Sequence, residues 1–98
     1  MGTRRQREAP EIGAAAIRMI EALVRRASEG DAEALEALAR IEEHAPRALG
    51  RAVVGMHAAE FSYTYIGEVL GVTKQAARHR ATTSERSAAI AAEPTHSP

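Results

Sequence analysis

The sequence predicts an all-α protein, a helical bundle of about five helices. Along most of the chain, apolar residues recur at spacings of three and four, which places them on one face of a helix. Runs rich in β-branched residues, which would indicate strands, are absent. With one Phe, two Tyr and no Trp, the core has to consist of Leu, Ile, Val, Met and Ala, which suits closely spaced helices.

The length and composition limit the class of protein. The chain has 98 residues, which allows one domain, and we expect it to span residues 10–81. No run approaches the roughly 20 apolar residues that cross a bilayer, and the first residues lack the apolar segment of a signal peptide. Without cysteine, the chain forms no disulfide or thiolate metal site and suits a reducing compartment. We therefore expect a cytoplasmic protein with no membrane partner.

The formal net charge is zero, but the charges are unevenly distributed. Residues 8–43 include nine acidic residues (8, 11, 21, 29, 31, 33, 36, 42 and 43) and four arginines (18, 25, 26 and 40). Residues 71–86 include four basic residues (74, 78, 80 and 86) and one acid, Glu85. A local excess of basic residues is the electrostatic signature of a surface that meets phosphate. We expect the basic end to face phosphate and the acidic first half to face away from it.

The sequence of the N-terminal region predicts a disordered arm followed by a long helix. Residues 1–9 predict a disordered basic arm, which is either a solubilising tail or an arm that reaches DNA phosphates or the minor groove. Helix one is predicted from Pro10 to Ser28, because proline suits the first helical position and Gly30 can end the helix. Helix one has a broad band of apolar residues, which either serves the core alone or also contacts a second copy of the chain. The predicted assembly is a homodimer through helix one. The band consists of Ile12, Ala16, Ile17, Met19, Ile20, Leu23, Val24 and Ala27.

Two further helices are predicted in the middle of the chain. Helix two follows Asp31, whose carboxylate can cap its first turn. It is predicted to end near His44, because Pro46 disfavours helical geometry in the residue before it. Helix three is predicted from Pro46 to about Glu60.

The segment after residue 60 predicts a short helix that ends in a tight turn. Ile66, Val69 and Leu70 share one face of this helix, and the Ser62 hydroxyl can accept a hydrogen bond from its first turn. Gly71 follows the last apolar position, where a positive φ is usually required and glycine adopts it without a Cβ clash.

A second short helix is predicted from Lys74 to about Ala81, with Thr73 as its cap. Its alanines 76 and 77 are small, and so is Gly67 in the preceding helix, so the two helices can lie close together. Residues 82–98 are rich in Ser, Thr, Ala and Pro and predict a mostly disordered tail.

This pattern resembles the helix-turn-helix core of many small bacterial DNA-binding proteins, including sigma factor region 4-like and homeodomain-like regulators. The likeness covers about residues 47–81, and Glu60 stands where a glycine is common. It implies a helix-turn-helix over residues 62–81 at the end of the bundle, whose recognition helix, about residues 74–81, enters the major groove of DNA. The residues that carry the likeness are Phe61, Ser62, Tyr63, Ile66, Gly67, Leu70, Gly71, Val72, Thr73, Gln75, Ala76 and Ala77.

The resemblance also implies which side chains meet DNA. The start of a recognition helix meets base edges, where glutamine can pair with adenine and lysine or arginine with guanine. The residues implied at base edges are Thr73, Lys74, Gln75, Arg78 and His79. The phosphate contacts implied at either side are Tyr63, Thr64, Tyr65, Arg80 and Arg86.

Few sequence features favour catalysis. Histidines 44, 57, 79 and 96 are scattered, and no two of them have the spacing of a helical metal-ligand pair. A glycine-rich phosphate loop and a nucleophile elbow are both absent. We therefore expect a protein that is not an enzyme and that uses neither a metal nor a cofactor.

The sequence predicts sequence-specific binding to double-stranded DNA by a transcriptional regulator that acts as a homodimer. Dimerisation is expected because one recognition helix reads only a few base pairs. The alternative is a protein-interaction module that contacts RNA polymerase, a sigma factor or another regulator through helix one. The acidic first half and the zero net charge favour this alternative modestly.

Overall fold

The computed structural model describes the backbone of residues 2–92 and the side chains of residues 8–92. This part of the chain forms four α-helices: α1 (Gly2–Ser28), α2 (Ala32–Ala58), α3 (Tyr63–Leu70) and α4 (Lys74–Ala92). It contains no strand, so the all-α class is confirmed. None of these helices combines the length and the hydropathy that a membrane span requires.

The prediction of a helix break before Pro46 was wrong. The predicted helices two and three are one helix, α2, with Pro46 inside it, so the described chain has four helices instead of five. Proline removes one N–H from the hydrogen-bond ladder of a helix, but its fixed φ of about −65° is itself helical. Half-buried apolar residues lie on both sides of it, at Leu38 and Ile41 before the proline and at Leu49 after it. Packing on each side therefore holds the helix together across the missing bond.

Two helices are longer than the sequence predicts. α1 begins at Gly2 and so includes most of the arm that was predicted to be disordered, although Met1 lies outside the described residues. α4 continues to Ala92, through the first part of the predicted tail, and residues 93–98 lie outside the described chain. The Thr82 hydroxyl donates to the carbonyl oxygen of Arg78 at 3.1 Å. Such a bond back to the preceding turn lets threonine continue a helix.

The chain divides into two compact units between Glu43 and His44. The N-terminal unit contains α1 and the first part of α2. Ala34 is its one buried apolar side chain among the described residues. At the turn between the helices, the Asp31 carboxylate accepts a hydrogen bond from the Ala34 N–H at 3.2 Å and pairs with Arg26 at 3.4 Å. Asp31 therefore caps α2 as predicted.

The C-terminal unit contains the second part of α2 together with α3 and α4. Its core consists of four buried side chains, one from α2, one from α3 and two from α4: Val53, Ile66, Ala77 and Ala81. Half-buried residues surround them, namely Val54, Met56, Tyr63, Leu70 and Val72. Small residues bring the helices close together. A Cβ atom on Gly50 of α2 would lie 3.0 Å from the Cβ of Ser84 in α4, which gives α4 a packing partner beyond its predicted end.

Three helices end in the same hydrogen-bonded motif. In each, a residue one or two positions after the helix has a positive φ, and the next N–H reaches back five residues to a carbonyl oxygen, as in a Schellman motif. The residues with positive φ are Gly30 (100°), Glu60 (74°) and Gly71 (72°). The bonds join Asp31 N to Arg26 O (3.0 Å), Phe61 N to Met56 O (3.1 Å) and Val72 N to Gly67 O (2.8 Å). Glu60 is the non-glycine residue with positive φ in the described chain.

We predict that Glu60→Gly raises the free energy of unfolding of the C-terminal unit by about 0.5–1 kcal/mol. The left-handed conformation costs an L-residue roughly 1–2 kcal/mol, and the greater entropy of glycine in the unfolded chain offsets part of that gain. Urea unfolding followed by circular dichroism measures the change. Glu60→Ala is the matched control, because it removes the charge and keeps the Cβ. Equal stability of the glycine and alanine variants would contradict the assignment of strain to Glu60.

Candidate functional site

Both α3 and α4 are capped at their N-termini as the sequence predicts. The Ser62 hydroxyl oxygen accepts a hydrogen bond from the Tyr65 N–H at 3.1 Å and begins α3. The Thr73 hydroxyl oxygen accepts from the Ala76 N–H at 3.0 Å and begins α4. Gly71 lies between them in the left-handed conformation. These local bonds set where each short helix begins and ends.

Gly67 sets how closely α3 approaches the turn. It is buried, and an added Cβ would lie 2.8 Å from the carbonyl oxygen of Val72 and 3.1 Å from that of Thr73. Both atoms belong to the backbone and cannot rotate away as a side chain would. The predicted need for a small residue at this position is therefore confirmed.

α4 has a buried face and an exposed face. Ala77 and Ala81 are almost completely buried and pack in the core with Ile66, which is only 1% exposed. Because successive residues of a helix turn by about 100°, the opposite side is determined once these alanines point inward. We call that opposite side the outward face of α4, and it consists of Gln75, Arg78, His79, Thr82 and Arg86, all exposed.

The outward face and the adjacent Lys74 are cationic. Lys74, Arg78 and Arg86 form no ion pair with any carboxylate of the described residues. Glu85 is the one acidic residue in α4. His79 contacts the next turn, where its Nε2 lies 3.4 Å from the Thr83 hydroxyl. α4 therefore presents three positive charges, two of them at its start, with an amide and an imidazole among them.

Seven of the eight predicted site residues are exposed, and they lie on α3, on the turn and at the start of α4: Thr64, Tyr65, Thr73, Lys74, Gln75, Arg78 and His79. The eighth, Arg80, is half-buried. It lines a groove between α2 and α4, on a different side of α4 from Gln75 and Arg78. The exposed His79 lines the same groove.

That groove was not expected from the sequence, since it depends on α4 continuing past Ala81. Arginines 47 and 51 of α2 line it together with Arg80. Its α4 side extends to the apolar residues 88, 90 and 91. No group of three or more His, Cys, Asp or Glu side chains within the described residues could hold a metal ion there or elsewhere.

An aromatic contact between α2 and α3 was also missed by the sequence reasoning. The rings of His57 and Tyr63 stack with centroids 3.9 Å apart and planes 15° from parallel. His57 Nδ1 lies 3.0 Å from the carbonyl oxygen of Phe61, to which it donates a hydrogen bond. The two residues are six apart, a spacing with no helical periodicity, so no sequence pattern pairs them. The contact ties the end of α2 to the start of α3.

Comparisons of the chain with protein-family models, with curated proteins and with solved structures found no match. A functional interpretation therefore depends on the shape and charge of the molecule itself. The feature that can be interpreted is the exposed cationic side of a helix whose opposite side is buried in a small core.

We predict that Gly67→Ala lowers the free energy of unfolding of the C-terminal unit by about 1–3 kcal/mol, the usual cost of overpacking. The backbone of Val72 and Thr73 would have to move away from the new Cβ. Gly55→Ala in α2 is the matched control, because a Cβ there meets nothing within 4 Å. Because glycine destabilises the interior of a helix relative to alanine, that variant should be about 0.5–1 kcal/mol more stable. Thermal unfolding of both variants measures the contrast, and the same sign for both would contradict it.

Proposed function

We propose that α3, the turn at residues 71–73 and α4 form a helix-turn-helix that binds double-stranded DNA in a sequence-specific manner. The protein would then be a bacterial, cytoplasmic transcriptional regulator. The observation that carries the proposal is the exposed, unpaired cationic start of α4. An α-helix fits the width of the major groove, and the outward face can enter it while Ala77 and Ala81 stay in the core.

The side chains suit the reading of base edges. Gln75 and Arg78 are exposed and are three residues apart on the outward face. An amide can bond adenine at two positions, and a guanidinium can bond guanine at two positions. Thr73 and Lys74 lie just before them, at the end of the helix that approaches DNA first in this class of motif. His79, four residues after Gln75, is the last of the residues proposed to meet base edges.

The charge distribution suits contact with the DNA backbone. Lys74 and Arg78 contribute at the start of α4, and Arg86 extends the positive charge along the same helix. Thr64 and Tyr65 are exposed at the start of α3, where hydroxyl groups can donate to phosphate. Arg80 is left out of this set because, unlike these residues, it is half-buried. If three cations each neutralise one phosphate, the logarithm of the binding constant should fall with the logarithm of salt concentration with a slope of about −2.7 per protomer.

The regulator is proposed to act as a homodimer. A single recognition helix reads only a few base pairs, and two copies on adjacent half-sites provide the affinity and the specificity that one lacks. Large apolar side chains on α1, among them Ile12 and Met19, are exposed in the single chain and suit contact with a second copy. Neither catalysis nor a cofactor is needed for this function.

The second candidate is a protein-interaction module that contacts RNA polymerase, a sigma factor or another regulator. The groove between α2 and α4 favours it, because arginines 47, 51 and 80 border an apolar strip that ends at the exposed Ile90. An acidic, amphipathic helix of a partner would suit such a groove. This candidate predicts weak binding to DNA that shows no preference among sequences.

We predict that the double variant Gln75→Ala/Arg78→Ala loses preference for its best duplex. Each bidentate contact with a base contributes about 1–3 kcal/mol of discrimination, so the ratio of preferred to scrambled affinity should fall at least 30-fold, about 2 kcal/mol. Selection from a random pool supplies the preferred duplex, and fluorescence anisotropy measures both affinities. Arg40→Ala is the matched control, because it removes an exposed arginine from the N-terminal unit.

The control should bind with unchanged preference and an unchanged salt slope. Circular dichroism checks that the double variant keeps its helix content. If the double variant binds the selected duplex as tightly as the wild type does, the assignment of α4 to the major groove is wrong. If the wild type selects no sequence, the interaction module becomes the better explanation.

A further inference from the structure

α1 carries an apolar line whose large side chains its own chain leaves exposed, while its two alanines, Ala15 and Ala22, are half-buried. Ile12 and Met19, both on this line, are each 67% exposed. The line follows alternating spacings of four and three, which is the pattern of a coiled-coil seam. We call it the α1 seam, and it consists of Glu8, Ile12, Ala15, Met19, Ala22 and Arg26.

The α1 seam is complementary to a second α1 seam that runs in the opposite direction. If a second α1 runs antiparallel, with a two-fold axis level with residue 17, Ile12 faces Ala22 and Met19 faces Ala15. Each large side chain thus meets a small one, which allows close packing of the two helices. At each end, Glu8 of one copy faces Arg26 of the other, whose guanidinium also pairs with Asp31 of its own chain.

A parallel pair lacks this complementarity. It would place Ile12 against Ile12, Met19 against Met19 and the alanines against each other, so crowded layers would alternate with gaps. It would also place Glu8 against Glu8 and Arg26 against Arg26, where like charges repel. The order of residues along the seam therefore favours the antiparallel arrangement.

The N-terminal unit has a very small core of its own. Ala34 is the one buried apolar side chain among its described residues. Units of about 40 residues usually need disulfides, a metal or oligomerisation to be stable. The chain has no cysteine, and the described residues contain no cluster that could hold a metal. Association with a second copy would supply buried apolar area that the unit lacks.

We propose that two copies of the chain associate through antiparallel α1 seams, in the register that pairs Ile12 with Ala22 and Met19 with Ala15. This inference specifies the homodimer that the proposed function assumes, and in that sense it rests on it. It is tested without DNA, so a failure of DNA recognition and a failure of this interface are separate results.

Sedimentation equilibrium of the full chain across the micromolar range measures the association. Met19→Glu should raise the dissociation constant at least about 100-fold, because it places an unpaired carboxylate in the seam. Ile17→Glu is the matched control: the wild-type side chain is 61% exposed and lies on α1 outside the seam. It should change the dissociation constant by no more than a few-fold. Circular dichroism establishes that both variants keep their helix content.

Disulfide cross-linking tests the direction and the register, with no background from native cysteines. A mixture of Ile12→Cys chains and Ala22→Cys chains should form a cross-linked heterodimer. Ile12→Cys chains alone should not, because the two thiols would be ten residues apart, about 15 Å along the helix, and a disulfide requires Cα atoms within about 7 Å.

Three results would overturn the proposal. The first is a monomeric wild type at the highest concentration. The second is loss of the dimer with Ile17→Glu and its persistence with Met19→Glu. The third is self-cross-linking of Ile12→Cys, which would show a parallel pair.

Discussion

The close approach of α3 to the backbone of the turn at Gly67 is the constraint on which the C-terminal unit depends. Only a hydrogen atom fits between the Gly67 Cα and the carbonyl oxygens of Val72 and Thr73. That contact, with the bond from Val72 N to Gly67 O, fixes where α4 starts. Once Ala77 and Ala81 are seated against Ile66, the rotation of the helix decides which residues face outward. The exposure of Gln75 and Arg78 is thus a consequence of packing on the other side of α4.

The two units use their apolar residues differently. The C-terminal unit gathers side chains from three helices into one small core, whereas the N-terminal unit leaves several of its largest apolar side chains exposed. A unit that completes its own core can present polar and charged residues to another kind of molecule. A unit without a complete core is suited to burying its exposed apolar side chains against a second copy of the chain. This contrast underlies the proposal that the C-terminal unit recognises DNA and the N-terminal unit associates with a second copy.

Errors in the sequence-based predictions share one cause, which is packing between residues that are distant in the chain. Pro46 was expected to end a helix, but proline weakens a helix locally and packing on both sides outweighs it. α4 was expected to end near Ala81, but Gly50 of α2 lets Ser84 approach closely. The stack of His57 on Tyr63 has no sequence signal for the same reason.

By itself, the sequence determined the helical class, the caps at Ser62 and Thr73 and the left-handed residue at Gly71. These depend on bonds between residues at most five apart, so the local order of side chains is enough to specify them. Only the tertiary structure decided the number and length of the helices, the division into two units and the side of α4 on which each basic residue lies. These depend on which surfaces are removed from water together, and that is a property of contacts between segments far apart in the chain.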